Sequence, residues 1–131
     1  MSELILVVED DARSRKLVHD LLEHQGYRVA EATAGDEGVR LAKELLPKLI
    51  VMDIQLPVLD GIAALQCIRE DPATCRIPVV AVTASAMPRD RLKIGAAGFD
   101  EYQRKPINVQ DFLAVVRSLI AASSRHESNE E

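Results

Sequence analysis

Four apolar residues in a row, Leu49-Ile50-Val51-Met52, run straight into an aspartate, Asp53. Such a run has no polar face, so it predicts a strand covered on both sides. Two further runs share the trait. One is Leu4-Ile5-Leu6-Val7-Val8; the other spans Ile77 to Val82, with Pro78 at its entry, where a missing donor costs little. Strands buried on both faces belong to parallel sheets packed between helices, which directs the chain towards an α/β architecture.

The intervening segments supply the helices. Leu17, Val18, Leu21 and Leu22 recur at helical spacing, and Gly26 offers a stop. Gly35 to Leu46 carries Val39, Ala42, Leu45 and Leu46 on one face, and Pro47 ends it. Ile62, Leu65 and Ile68 mark a third helix, closed by Asp71-Pro72 because a residue before proline avoids the helical region. Pro88 suits a first helical position and opens a short helix through Leu92 to Ala96. Val109, Phe112, Leu113, Val116, Leu119 and Ile120 form the clearest apolar stripe, with Asn108 and Asp111 as a cap pair. Tyr27 to Ala32 and Asp100 to Gln103 read as short strands. Five strands alternating with five helices imply a doubly wound parallel sheet with right-handed crossovers.

At 131 residues the chain has the size of one domain, and its 47% hydrophobic content suits a compact core. Residues 1–122 are expected to form that domain and 123–131 a polar, frayed tail. No apolar stretch approaches membrane-spanning length, and a net charge of −5 argues against a general nucleic-acid surface. The start, Met1-Ser2-Glu3, lacks the features of a secretory signal. Cys67 and Cys75 fit no metal spacing and read as a helix residue and a loop residue. Together these features lead to an expectation of a reducing cytoplasm.

The chemistry gathers at the strand ends. Glu9-Asp10, Asp53, Thr83 and the loop holding Lys105 all finish on one edge of the predicted sheet. Converging carboxylates repel unless a counter-ion joins them. Magnesium is the economical one, since it takes oxygen ligands, keeps waters and is held by a few carboxylates plus phosphate oxygens. Lys105 adds a positive charge suited to an anion and Thr83 a hydroxyl donor. The set describes phosphoryl transfer to a carboxylate. Asp11 reads as a helix cap. His19 and His24, five apart, read as solvated or interface residues rather than metal ligands.

Val8-Glu9-Asp10, Met52-Asp53, Pro57 with Asp60-Gly61, Val82-Thr83-Ala84, and Tyr102 followed by Lys105-Pro106 stand in order at these strand ends. In this the sequence resembles the receiver domain of two-component response regulators, over roughly Leu4 to Ala121. The stretch Met52 to Pro57 looks most like the stand-alone regulators of the DivK kind. The resemblance implies a flavodoxin-like (βα)5 fold with strand order 2-1-3-4-5. It implies Asp53 as the phosphoryl acceptor, Asp10 and Asp53 as magnesium ligands, Gln55 as a main-chain carbonyl ligand, and Glu9 as a ligand through water. It implies Lys105 as the partner of the phosphoryl group, Thr83 and Tyr102 as switch residues, and a cis bond at Lys105-Pro106. Gln55 and Ser85 would flank the acceptor and tune hydrolysis.

The resemblance further implies a signalling domain rather than an enzyme, limited to self-catalysed phosphorylation and dephosphorylation. Its expected partners are a sensor histidine kinase or histidine phosphotransfer protein, and a downstream protein on the surface of the fourth helix, fifth strand and fifth helix. Arg89, Arg91, Gln103 and Arg104 are the residues expected there. The protein would be a monomer or a phosphorylation-linked dimer. A magnesium-dependent phosphohydrolase with an aspartyl nucleophile is the rival, but it would want an acid where Gln55 stands. A pseudo-receiver adaptor is countered by the intact Asp10, Asp53, Thr83 and Lys105. A flavin site is countered by the acidic loop after Val8, the wrong sign for a phosphate cradle.

Overall fold

The computed structural model describes residues 2–84 and 88–129, without the side chains of 88–91 and 124–129. The elements run β1 (Leu4–Val8), α1 (Ala12–His24), β2 (Arg28–Ala32), α2 (Gly35–Leu45), β3 (Leu49–Asp53), α3 (Gly61–Glu70), β4 (Val79–Thr83), α4 (Pro88–Ala97), β5 (Glu101–Arg104) and α5 (Val109–Asn129). All strand pairs are parallel, in the order β2-β1-β3-β4-β5. The doubly wound sheet expected from the apolar runs is therefore present, with β3 at its centre and flanked on both sides.

Strand alternation sorts the core into two layers. Ile5, Val7, Leu49, Val51, Val80 and Val82 pack on Val18 and Leu22 of α1 and on Phe112, Leu113, Val116 and Ile120 of α5. Leu6, Val8, Ile50, Met52 and Val79 face the other way, onto Val39 and Ala42 of α2 and Ala64, Leu65 and Ile68 of α3. Phe112 is fully buried, and truncating a phenylalanine so placed costs about 3–5 kcal/mol.

Helix ends follow their local chemistry. Asp11 caps α1 by accepting from the Ser14 N–H at 2.9 Å, and Asp60 caps α3 by accepting from Ala63 at 2.9 Å. Asn108 accepts from the Asp111 N–H at 3.0 Å. Leu46 closes α2 in the left-handed region at φ 47, just before Pro47. Helix α5 continues to Asn129 and so runs into the polar segment that composition sets apart from Ser123 onward. That segment contains no glycine or proline to break a helix.

One arginine ties the far side of the sheet together. Arg69 of α3 donates to the Cys75 and Ile77 carbonyls at 3.1 and 2.6 Å, to the Gly98 carbonyl at 3.5 Å, and to Asp100 Oδ2 at 2.8 Å. The same Asp100 oxygen accepts from the Val79 N–H at 2.7 Å. The strand reading that began at Asp100 is thus shifted by one residue. The Asp100 side chain is a clamp at the entry to β5 rather than part of it.

Candidate functional site

Because every strand is parallel, the carboxyl ends of β1, β3, β4 and β5 lie on one rim. Val8, Asp53, Thr83 and Arg104 end these strands, so Glu9, Asp53, Thr83 and Lys105 meet there. Gly61 lets the loop after β3 close over that rim. A Cβ on Gly61 would stand 2.5 Å from the Asp53 carbonyl oxygen and 2.8 Å from the Ile54 Cα. The Gly61 N–H instead donates to the Ile54 carbonyl at 2.8 Å.

Glu9, Asp10 and Asp53 each bring a carboxylate oxygen within 4.8 Å of the others. Glu9 and Asp53 are buried and Asp10 is exposed. Asp53 Oδ1 accepts from the Gln55 N–H at 3.1 Å, and Asp53 Oδ2 from the Lys105 ammonium at 3.3 Å. Lys105 also donates to Glu9 Oε1 at 2.6 Å. The Lys105–Pro106 peptide bond is cis. Three carboxylates, the buried Asp53 among them, are the hard oxygen ligand chemistry of magnesium, and they fit that ion better than a soft metal.

The electrostatics are those of a crowded anionic site with one cation. Burial and the neighbouring Asp53 push the Glu9 carboxyl up to about 7, against the pull of Lys105 in the other direction. Burial disfavours the charged Lys105, but its hydrogen bonds and the charges of Glu9 and Asp53 outweigh that and hold its pKa above the ordinary lysine value. Asp11 is held low by the Ser14 N–H that it caps.

Thr83 is 1% exposed and Tyr102 is half-buried. The β4–β5 register pairs Ala81 with Tyr102 and Thr83 with Arg104. Tyr102 therefore shares the sheet face of Ala81 and Thr83, the side of α2 and α3. Asp53 has the parity of Val51 and belongs to the opposite face, with α1 and α5. So the acidic residues and lysine gather in one layer, and Thr83 and Tyr102 in the other, at the same rim. A cavity of about 750 Å³ lies beside Tyr102, lined by Leu92, Ile94, Gly95 and Phe99.

Arg104 is exposed and Gln103 only half so. Ser85 and the side chains of Arg89 and Arg91 lie outside the described residues. His19 is held between carboxylates, Nδ1 at 3.0 Å from Glu31 and Nε2 at 3.2 Å from Glu23. Sequence reasoning passed over Arg15, whose guanidinium reaches the main chain of the acid pair. Its place one helical turn beyond Asp11 was the available signal.

Residues 5–117 match the family described as the response regulator receiver domain. The chain belongs to that family. This receiver is 38% identical over 120 residues to the polar-differentiation response regulator DivK of Brucella ovis, covering 92% of this chain and 98% of that one. It also resembles the receiver domain of the sensor histidine kinase PA1611 from Pseudomonas aeruginosa, at 33% identity and a TM-score of 0.87, over 92% and 99% of the two chains. That structure holds a magnesium ion coordinated in its active-site cleft. A receiver domain from Vibrio parahaemolyticus shares the fold at a TM-score of 0.91 with 20% identity, over 100% and 99% of the chains. The flavodoxin-like receiver fold and the strand order are therefore as the resemblance implied. No helix among the described residues is long and apolar enough to cross a membrane.

Proposed function

We propose that this receiver takes a phosphoryl group onto Asp53 from the phosphohistidine of a sensor histidine kinase or a histidine phosphotransfer protein. The observation that carries the reading is the position of Asp53. The residue is 7% exposed, one carboxylate oxygen faces Lys105, and carboxylate oxygens of Glu9 and Asp10 lie within 4.8 Å. A carboxylate oxygen of Asp53 attacks phosphorus as the N–P bond to the donor imidazole breaks. The product is an aspartyl phosphate, and the imidazole leaves with its electron pair.

Magnesium is the cofactor that suits this donor set; Asp10, Asp53 and the Gln55 main-chain carbonyl would hold it, with Glu9 acting through water. When bound, it offsets negative charge on the transferring oxygens. Lys105 anchors one of those oxygens, moving off Glu9 to do so. The new group adds about −1.5 to −2 charges. Thr83, one strand away, then has an anion to which its hydroxyl can donate, and Tyr102 on the same face has room to respond. This is a shift between two packings that reaches the surface of α4, β5 and α5, where a downstream protein would bind or onward phosphotransfer would begin. Residues 1–122 are the signalling unit in this reading, residues 123–131 an appendage, and the cytoplasm the setting. Turnover is confined to the domain's own phosphorylation and dephosphorylation.

Incubation with acetyl phosphate and magnesium, read by intact mass, tests the claim. Gain of one phosphoryl group by the wild type, and none by Asp53→Asn, is the expected result. Sustained hydrolysis of added phosphomonoesters would instead favour the aspartyl phosphohydrolase. The switch is tested with Thr83→Ala, which should still accept phosphate while the Tyr102 ring resonances no longer move on phosphorylation.

A further inference from the structure

Neighbouring side chains in an extended strand point to opposite faces. Yet Glu9 and Asp10, adjacent in sequence, bring carboxylate oxygens within 4.8 Å of each other and of Asp53. The Glu9 N–H still bonds to β2, and the backbone bends only at Asp10, in a turn that holds like charges together. Something has to keep that turn.

We infer that Arg15 is a positioning residue for the acid pair. Its side chain, only 20% exposed, folds back from the first turn of α1. One terminal nitrogen, Nη1, lies 3.0 Å from the Glu9 carbonyl and 3.4 Å from the Asp10 carbonyl. Both consecutive peptide planes are thus oriented by one cation, and with them the bonds that aim the two carboxylates. The guanidinium is itself anchored: its Nε lies 3.7 Å from Glu31 Oε1 on β2, and the other Glu31 oxygen is 3.0 Å from His19 Nδ1. The turn is also tied at its start, where the Glu9 N–H donates to the Ala32 carbonyl at 3.0 Å, and at the Glu9 carboxylate, where Lys105 donates at 2.6 Å. The Asp11 N–H donates to Glu9 Oε2 at 3.2 Å, and the Arg15 N–H donates to the Asp11 carbonyl at 2.9 Å.

Arginine suits the task better than lysine. The planar fork lets one nitrogen serve the carbonyls while Nε faces Glu31. An ammonium in its place reaches the carbonyls and leaves Glu31 unbridged. Arg15 touches no reacting group and acts only through the main chain of Glu9 and Asp10. The inference rests on the reading of those two acids as the magnesium site.

The test is a calorimetric titration with magnesium alone, on variants shown by circular dichroism to be folded. Arg15→Met should weaken magnesium binding by about tenfold, the range typical when a group behind a metal ligand is lost. Arg15→Lys should recover part of that loss. Glu31→Gln should weaken binding by a few-fold, and adding it to Arg15→Met should bring no further loss. In the metal-free protein the amide resonances of Asp10 and Asp11 should broaden in Arg15→Met. Asp10→Asn separates the metal site itself from the role of Arg15. Wild-type affinity in Arg15→Met, with binding lost in Asp10→Asn, overturns the role of Arg15 alone. Wild-type affinity in Asp10→Asn overturns the metal reading and this inference with it. Should Arg15→Met fail to fold, undiminished affinity in both Arg15→Lys and Glu31→Gln overturns the role.

Discussion

The Lys105 ammonium lies 2.6 Å from Glu9 Oε1, closer than the 3.3 Å that separates it from Asp53 Oδ2. The lysine is thus chiefly the partner of Glu9. Asp53 has its other oxygen, Oδ1, occupied by the Gln55 N–H. Charge at the site is balanced by sharing one cation among several acids, which makes the metal-free protein sensitive to protons.

With Glu9 raised to about 7 from an ordinary 4.5, the folded protein keeps a proton there that the unfolded chain has already released. Stability without metal should therefore be full below about pH 4.5 and fall as pH rises through about 7. The other displaced groups act elsewhere: Asp11 below 3.8, Tyr27 above 10.0, and Lys16 and Lys105 above 10.5. Urea midpoints at about pH 5 and pH 7.5 should differ more for the wild type than for Glu9→Gln. Parallel shifts in the two proteins would remove Glu9 as the cause. Magnesium should offset the loss on the alkaline side.

Val58 is 83% exposed and sits at φ 68, in the tight turn in which Leu59 donates to the Pro57 carbonyl at 2.7 Å. A β-branched residue in the left-handed region is strained by about 1–2 kcal/mol, with no burial in return here. Val58→Gly should raise stability by about 1 kcal/mol after its extra unfolded-state entropy is counted. A thermal midpoint at or below that of the wild type would count against this assignment of strain.

Arg69 joins α3, the loop after it, the end of α4 and the start of β5. Removing its guanidinium leaves three carbonyls and a shared Asp100 oxygen without their donor. Arg69→Met should cost about 2–4 kcal/mol, and Asp100→Asn less, because an amide oxygen still accepts from Val79. Denaturant titration reads both values. Equal costs would mean that the charge pair, not the carbonyl contacts, dominates.

Two glycine-to-alanine changes should have opposite signs. At Gly61 the new Cβ meets the Asp53 carbonyl at 2.5 Å, so backbone must shift at the cost of about 2–3 kcal/mol. The phosphoryl acceptance proposed for Asp53 should slow with it. At Gly95, in α4, a Cβ meets nothing within 4 Å, and alanine should stabilise by about 1 kcal/mol through helix propensity. Equal stability of the two variants would reject the close approach at Gly61.

The core strands were readable because β1, β3 and β4 are buried on both faces and so carry unbroken apolar runs. Glu9, Asp10, Asp53 and Thr83 were readable because each ends one of those strands or follows it. What stayed hidden was contact between distant segments. Arg69 and Asp100 are 31 residues apart, and nothing in either neighbourhood announces the pairing. The edge strands β2 and β5 start one residue later than the pattern suggested, since half-buried ends carry weak periodicity. Gln103, expected on the exposed surface, is only half so because alternation turns it towards the α1 and α5 side.

The partition of the rim has a consequence for how such a molecule can respond. Asp53, Glu9 and Lys105 stand over one hydrophobic layer, Thr83 and Tyr102 over the other. In the proposed switch, the shortest route between the two groups runs around the lip of the sheet, at the end of β4. Both oily slabs can stay as hard as a crystal while only their shared border rearranges, so responsiveness and a rigid frame need not compete.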